Sequence, residues 1–156
     1  MADYQRFFIG AAPRAALTDV GLLILRVVTG LALALAHGLG KMPPSDRFVG
    51  MVEGLGFPAP GLFAWGSGFA ELVCGLLLAV GLLTRPAALF IVLNMTVVVF
   101  LAHGGDAFGD REKGLLFGVI ALTFLIIGAG RYSVDALLRR RTGWQEVRVN
   151  EEVARP

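Results

Sequence analysis

Cysteine is nearly absent from this chain of 156 residues: Cys74 stands alone, within an apolar run. One cysteine excludes an intrachain disulfide, a CxxC redox centre and a cysteine-ligated iron–sulfur cluster in this chain, and a thiol in such a run reads as a small packing hydrophobe. Charge is scarce as well, at 17% of residues against 56% hydrophobic ones. So little charge cannot clothe a water-soluble domain of this size, so the chain reads as a membrane protein. With two histidines and no Cys/His cluster, no metal site is expected. No cleavable secretion signal is expected, since Phe7–Ala12 is too short for a signal core and runs into Pro13 and Arg14, and no internal repeat is visible. The apolar runs do not alternate, which argues against a transmembrane β-barrel.

What is present is four long apolar segments, Val20–Gly40, Leu62–Leu83, Ala87–Ala102 and Gly114–Gly130. At about 1.5 Å per residue the shorter ones cover roughly 24–26 Å, enough to span a bilayer with their flanking turns. The expected fold is all-α: an integral membrane four-helix bundle, with residues 20–138 as one domain between an N-terminal segment, 1–19, and a basic tail, 139–156. Lys and Arg number nine on the side of the termini and four in the other two connections, so both termini are expected on the cytoplasmic side of the membrane. The net charge of +2 then reports orientation and gives no sign of nucleic-acid binding. Arg139-Arg140-Arg141, behind a segment capped by Ser133, fits a helix near anionic headgroups or a solvated tail.

The connections carry further order. Leu83-Thr84-Arg85-Pro86 is short enough for an antiparallel hairpin, with Thr84 expected to cap the following helix. In the first outer connection Pro43 and Pro44 break the chain and Ser45 can cap. Phe48, Met51, Val52 and Leu55 then recur at helical spacing, predicting a short amphipathic surface helix, a lid over the bundle. His103–Lys113 reads as a loop.

Helical spacing sorts the polar residues into faces. Arg26, Gly30, Leu33, His37 and Lys41 share one stripe of the first span, and Ala64, Gly68, Glu71, Gly75 and Ala79 one of the second. Small residues let helices approach closely in lipid, so the Glu71 carboxyl is expected to point inward. It lies too deep to reach either surface, and must be neutral, paired or in contact with internal water. Arg26, about 9 Å from the inner end of its span, is the one cation placed deep enough to pair with it, although its own side chain can snorkel. Asn94 lies mid-span on the third helix. His103 stands about 180° from it on an ideal helix, so the two share a site only if the helix ends first.

The ordered set Leu25-Arg26, Gly30, Ala36-His37-Gly38, Lys41, Gly56-Phe57-Pro58, Ala70-Glu71-Leu72, Gly75-Leu76-Leu77-Leu78, Gly81-Leu82, Thr84-Arg85, Asn94-Met95, His103, Glu112 and Gly130-Arg131-Tyr132-Ser133-Val134-Asp135 resembles the DoxX family of small bacterial four-helix membrane proteins. It covers roughly residues 22–138. Ala129 stands where the family has proline, and Lys113 where an aromatic residue is usual. The resemblance implies a membrane subunit of a quinone-linked or oxidative-stress redox system, as in subunits of thiosulfate:quinone oxidoreductase, acting with a protein partner or as a homo-oligomer. The quinone would be the implied cofactor, and electrons would come from a partner or substrate, since the chain shows no flavin motif. A quinone needs an apolar slot, hydrogen-bonding groups at its oxygens and a proton route. Glu71 and His37 are the candidate proton-exchanging groups. Arg26, Glu71, Asn94, His37, Lys41 and His103 form the candidate binding set. Two other readings stand beside this one: a non-catalytic membrane anchor or partner protein, and a small proton-coupled carrier.

Overall fold

A computed structural model describes residues 15–141; the N-terminal residues 1–14 and the tail beyond Arg141 lie outside the described residues. Among the described residues six α-helices run in order: α1 Ala15–Ala32, α2 Asp46–Gly54, α3 Pro60–Val80, α4 Thr84–Val97, α5 Phe108–Ile127 and α6 Val134–Arg141. Two of them continue in altered windings. α1 passes into a π-helical stretch, Leu33–Gly38, and a 3₁₀ turn, Leu39–Lys41, while α4 ends in a π-helical stretch, Val98–Ala102.

The molecule is an all-helical integral membrane protein in which α1, α3, α4 and α5 form the bundle. α1 packs on α3, α3 on α4, and α4 on α5. Leu33, Cys74, Leu78, Ile91, Met95 and Phe124 fill the shared core, and large apolar side chains such as Ile24, Leu62, Phe100 and Ile126 cover the outside. An apolar exterior over a packed interior is what a bilayer solvent demands, because lipid tails leave no penalty on exposed leucine. Among the described residues three helices are long and apolar enough to cross a membrane, Ala16–Lys41, Pro60–Val80 and Thr84–Ala102. The fourth differs from expectation. α5 begins at Phe108, so the expected loop His103–Lys113 is mostly its first turns, and the charges of Asp110 to Lys113 shorten its apolar part to Gly114–Ile127.

Local chemistry explains the element ends. Ser45 caps α2, its hydroxyl accepting from the Phe48 N–H at 3.3 Å. Pro60 opens α3, where a missing N–H costs nothing. α3 ends at Val80, three residues short of the apolar run, because Gly81 turns left-handed at φ 72°. Thr84 does not cap α4. It lies inside the helix, and the exposed donors at its start are met by Asp135 of α6, whose two carboxylate oxygens accept from the Leu83 N–H at 2.8 Å and the Thr84 N–H at 2.9 Å. The Asp135 N–H in turn donates to the Gly81 carbonyl at 2.8 Å, fastening α6 to the α3–α4 hairpin. Ser133 caps α6 as its position predicts, accepting from the Ala136 N–H at 3.1 Å.

Candidate functional site

The stripe Ala64, Gly68, Glu71, Gly75 and Ala79 is buried throughout. α1 crosses it closely: a Cβ on Gly30 would overlap the Gly75 carbonyl and the Ala79 backbone. Glu71 is 2% exposed, and its carboxyl meets two donors at one oxygen: Lys41 Nζ at 2.6 Å and Asn94 Nδ2 at 3.0 Å, both on Oε1. A carboxylate only accepts, so the amide nitrogen of Asn94 must be the end turned toward it. Oε2 is buried with no protein partner.

The expected partner of Glu71 was Arg26; the structure gives it Lys41 instead. Arg26 is 1% exposed, yet its guanidinium lies at the other end of the bundle, donating from Nη1 to the Ala129 carbonyl at 2.9 Å and from Nη2 to the Tyr132 carbonyl at 2.8 Å. It closes the turn after α5 by donating to carbonyls that no helix satisfies. Gly81 makes room for it, since a Cβ there would collide with the guanidinium. Gly81 stands ten residues from Glu71 on α3, which separates the two polar centres by about 15 Å. Arg85 does similar work, its Nη2 donating to the Ile126 carbonyl at 3.1 Å.

His37 is also apart from the carboxyl. It is exposed, its ring edge-on to Phe117 of α5 at 5.5 Å. The cause is the π-helical stretch that begins at Leu33. With more residues per turn, each advances less than the 100° of an α-helix, so His37 swings off the Arg26 stripe. The tighter 3₁₀ turn that follows advances more than 100° per residue, recovers part of the lost rotation and brings Lys41 over α3. Gly38 sits at the crossing, where a Cβ would overlap the Leu72 backbone.

Above Glu71 lies a cavity of about 470 Å³. Its roof is α2, through Phe48, Met51, Val52 and Leu55. Phe63, Ser67 and Ala70 of α3 form one wall, and Phe90, Leu93, Asn94 and Val97 of α4 the other. Lys41 borders it too, its ammonium 5.2 Å from the centre of the Phe48 ring, in reach of a cation–π contact. The condition for Asn94 and His103 to share a site is met. The terminal turn of α4 is π-wound, the His103 N–H donates to the Val98 carbonyl at 3.0 Å, and the helix stops there with His103 on the cavity wall. Its Nδ1 lies 2.8 Å from Asp106 Oδ2. Of the six candidate residues, Glu71, Lys41 and Asn94 therefore form one cluster and His103 faces the same cavity, while Arg26 and His37 belong elsewhere. Asp106 went unnoticed in the sequence; its signal was the i, i+3 spacing from His103.

Aromatic walls, a buried carboxyl with amine and amide partners beside them, and a short helix across one side mark this cavity of an all-helical membrane protein as its candidate site. The chain belongs to the DoxX family, whose model matches residues 21–104. A second family model, described as TQO small subunit DoxD, matches residues 66–153. Among curated proteins it is similar to uncharacterized membrane protein Rv3486 of Mycobacterium tuberculosis, 32% identical over 136 residues, covering 76% of this chain and 82% of that protein. It is also similar to inner membrane protein YqjF of Escherichia coli, 31% identical over 129 residues, covering 80% of this chain and 97% of that protein. No solved structure matches it significantly.

Proposed function

We propose that the protein is the membrane subunit of a quinone-linked redox system and that the cavity beneath α2 receives the quinone ring. The observation that carries this reading is the meeting of an aromatic-walled chamber of about 470 Å³ with the Glu71–Lys41–Asn94 cluster. The volume lies within the ~300–1,000 Å³ of small-molecule sites, and such sites pair apolar walls with a few convergent polar groups. Phe48, Phe57, Phe63 and Phe90 supply flat apolar surface for a ring. Lys41, Asn94 and His103 line the cavity and can hydrogen-bond a ligand, and Glu71, which holds Lys41 and Asn94 through Oε1, stands behind them with Oε2 unpaired. A quinone bound here would supply two-electron chemistry with paired protons. The chain's own part is to hold the ring, exclude water from it and keep a carboxyl–amine pair beside it.

The description of one matching family model as a TQO small subunit supports the same reading and points to a protein partner. The basic residues near the termini support a cytoplasmic position for both ends, which puts α2 and the cavity on the outer side. The test is to purify the protein from its native membrane in detergent, identify quinones by mass spectrometry in an organic extract of one portion, and titrate menadione into a second portion kept folded in detergent. A stoichiometric quinone and saturable menadione binding are expected. A preparation free of quinone that also fails to bind menadione would end this reading.

A further inference from the structure

The cavity beneath α2 sorts its lining by exposure. Every polar side chain on it, Lys41, Ser67, Asn94 and His103, is half-buried, and none of its exposed residues, Met51, Phe63, Gly66, Phe90 and Leu93, is polar. Its open side is therefore the apolar one. Toward the α2 end the cavity is roofed: Val52 is buried, the ring centres of Phe57 and Phe63 lie 4.3 Å apart, and the Lys41 ammonium stands over Phe48. The walls of α3 and α4 leave room instead. A Cβ on Gly66 would meet no atom within 4 Å, and Leu93 of the opposite wall is 57% exposed.

Depth decides what this side faces. Gly66 lies six residues into α3 from Pro60 and Leu93 nine residues below Ala102, about 9 Å and 13 Å from that end of their spans, and Phe90, edge-on to Phe69 at 5.8 Å, lies about 18 Å down. In a hydrocarbon layer about 30 Å thick, residues at these depths stand against acyl chains and not against water. Resting on the reading that this cavity takes a quinone ring, we propose that its ligand is a long-chain one. The ring enters sideways from the bilayer, its oxygens lie toward Lys41 and Asn94, and a polyprenyl-type chain leaves past Gly66, Phe90 and Leu93 to remain in the lipid. Such an amphiphile keeps its chain in hydrocarbon, where it lay before binding. Only its polar end moves, exchanging an apolar surrounding for hydrogen-bonding groups.

The test compares two probes with one ring, menadione and menaquinone-4, which adds a chain of four isoprenoid units, in binding titrations of the full chain in lipid nanodiscs with empty discs as the partition blank. The parent protein is expected to bind both. Gly66→Phe, which puts a side chain into open space, is expected to weaken menaquinone-4 by about tenfold or more and menadione by less than about threefold. Leu93→Trp narrows the same gap from α4 and should give the same split, so the test does not hang on one variant. Gly61→Phe is the control on α3: its Cβ also meets nothing within 4 Å and it does not line the cavity, so it should change neither affinity. Three results would each overturn the chain exit while the quinone site stands: menaquinone-4 binding undiminished by both gap variants, both probes weakened equally by them, or a parent protein that binds menadione and rejects menaquinone-4. A phospholipid that co-purifies one-to-one and is displaced by neither probe would overturn both readings, as would a parent protein that binds neither probe.

Discussion

Pairing Glu71 with Lys41 and not with Arg26 can be settled by two double-mutant cycles. In the first, Glu71→Gln leaves the Lys41 ammonium facing a neutral amide of the same shape, Lys41→Met leaves the carboxylate alone with Asn94, and the double variant removes both charges. Breaking a fully buried ion pair by removing one partner costs about 3–5 kcal/mol. The Lys41 side chain is 27% exposed against 3% for Glu71, so the ammonium keeps part of its hydration and the loss falls nearer the 1.5–3 kcal/mol of a hydrogen bond to a charged group. Each single variant is thus expected to lose about 2 kcal/mol, with Lys41→Met the worse because the stranded charge is the more deeply buried one. The double variant is expected to recover about 1–2 kcal/mol relative to additivity. In the second cycle, Arg26→Leu combined with Glu71→Gln should add to within ~0.5 kcal/mol, since the two groups sit about 15 Å apart along α3. Unfolding free energies from detergent–SDS titrations followed by circular dichroism give both couplings. A Lys41–Glu71 coupling under ~0.5 kcal/mol, or an Arg26–Glu71 coupling above ~1 kcal/mol, would refute the assignment.

Arg26→Leu by itself should destabilise the protein by about 2–4 kcal/mol in the same titration, because it strips the partners from the Ala129 and Tyr132 carbonyls and leaves a hole under Gly81. Asp135→Ala should cost about 1–2 kcal/mol through loss of the cap on the Leu83 and Thr84 N–H groups, and protease cleavage in the Gly81–Arg85 turn should accelerate with it. Gly38→Ala should cost more than Gly40→Ala, by about 1–3 kcal/mol, since a methyl at Gly38 overlaps the Leu72 backbone while nothing lies within 4 Å of one at Gly40.

The inward face of Glu71 was legible because α3 is a regular helix from Pro60 to Val80, over which a stripe of small residues at three- and four-residue spacing keeps its phase. The amphipathic α2 was legible for the same reason, with Ser45 and the apolar spacing both local signals. Asp135 as the cap of α4 was not, because it comes from a helix about fifty residues away, and Thr84 occupied the position where a local rule finds a cap. Nor did the apolar run reveal the early start of α5, since Asp110 to Lys113 read as loop by composition although they continue the helix.

The choice of partner for Glu71 turned on a different kind of information. On an unbroken α-helix Arg26, His37 and Lys41 share one stripe, and depth alone then favours Arg26. The π-helical stretch Leu33–Gly38 breaks that equivalence: it rotates His37 toward Phe117, and the 3₁₀ turn after it returns Lys41 to α3. A second π-helical stretch, Val98–Ala102, ends α4 so that His103 comes round to the cavity that Asn94 borders. Lys41 and His103 are thus placed by departures from the α-helical period, whereas Glu71 and Asn94 lie on regular stretches. Wide turns of this kind cost regular hydrogen bonding and concentrate at functional positions, where the gain is a side chain set at an angle the α-helix does not provide. The first stretch precedes Lys41 and the second carries Val98 and Ala102 of the cavity wall, so both departures help to set residues around the same cavity.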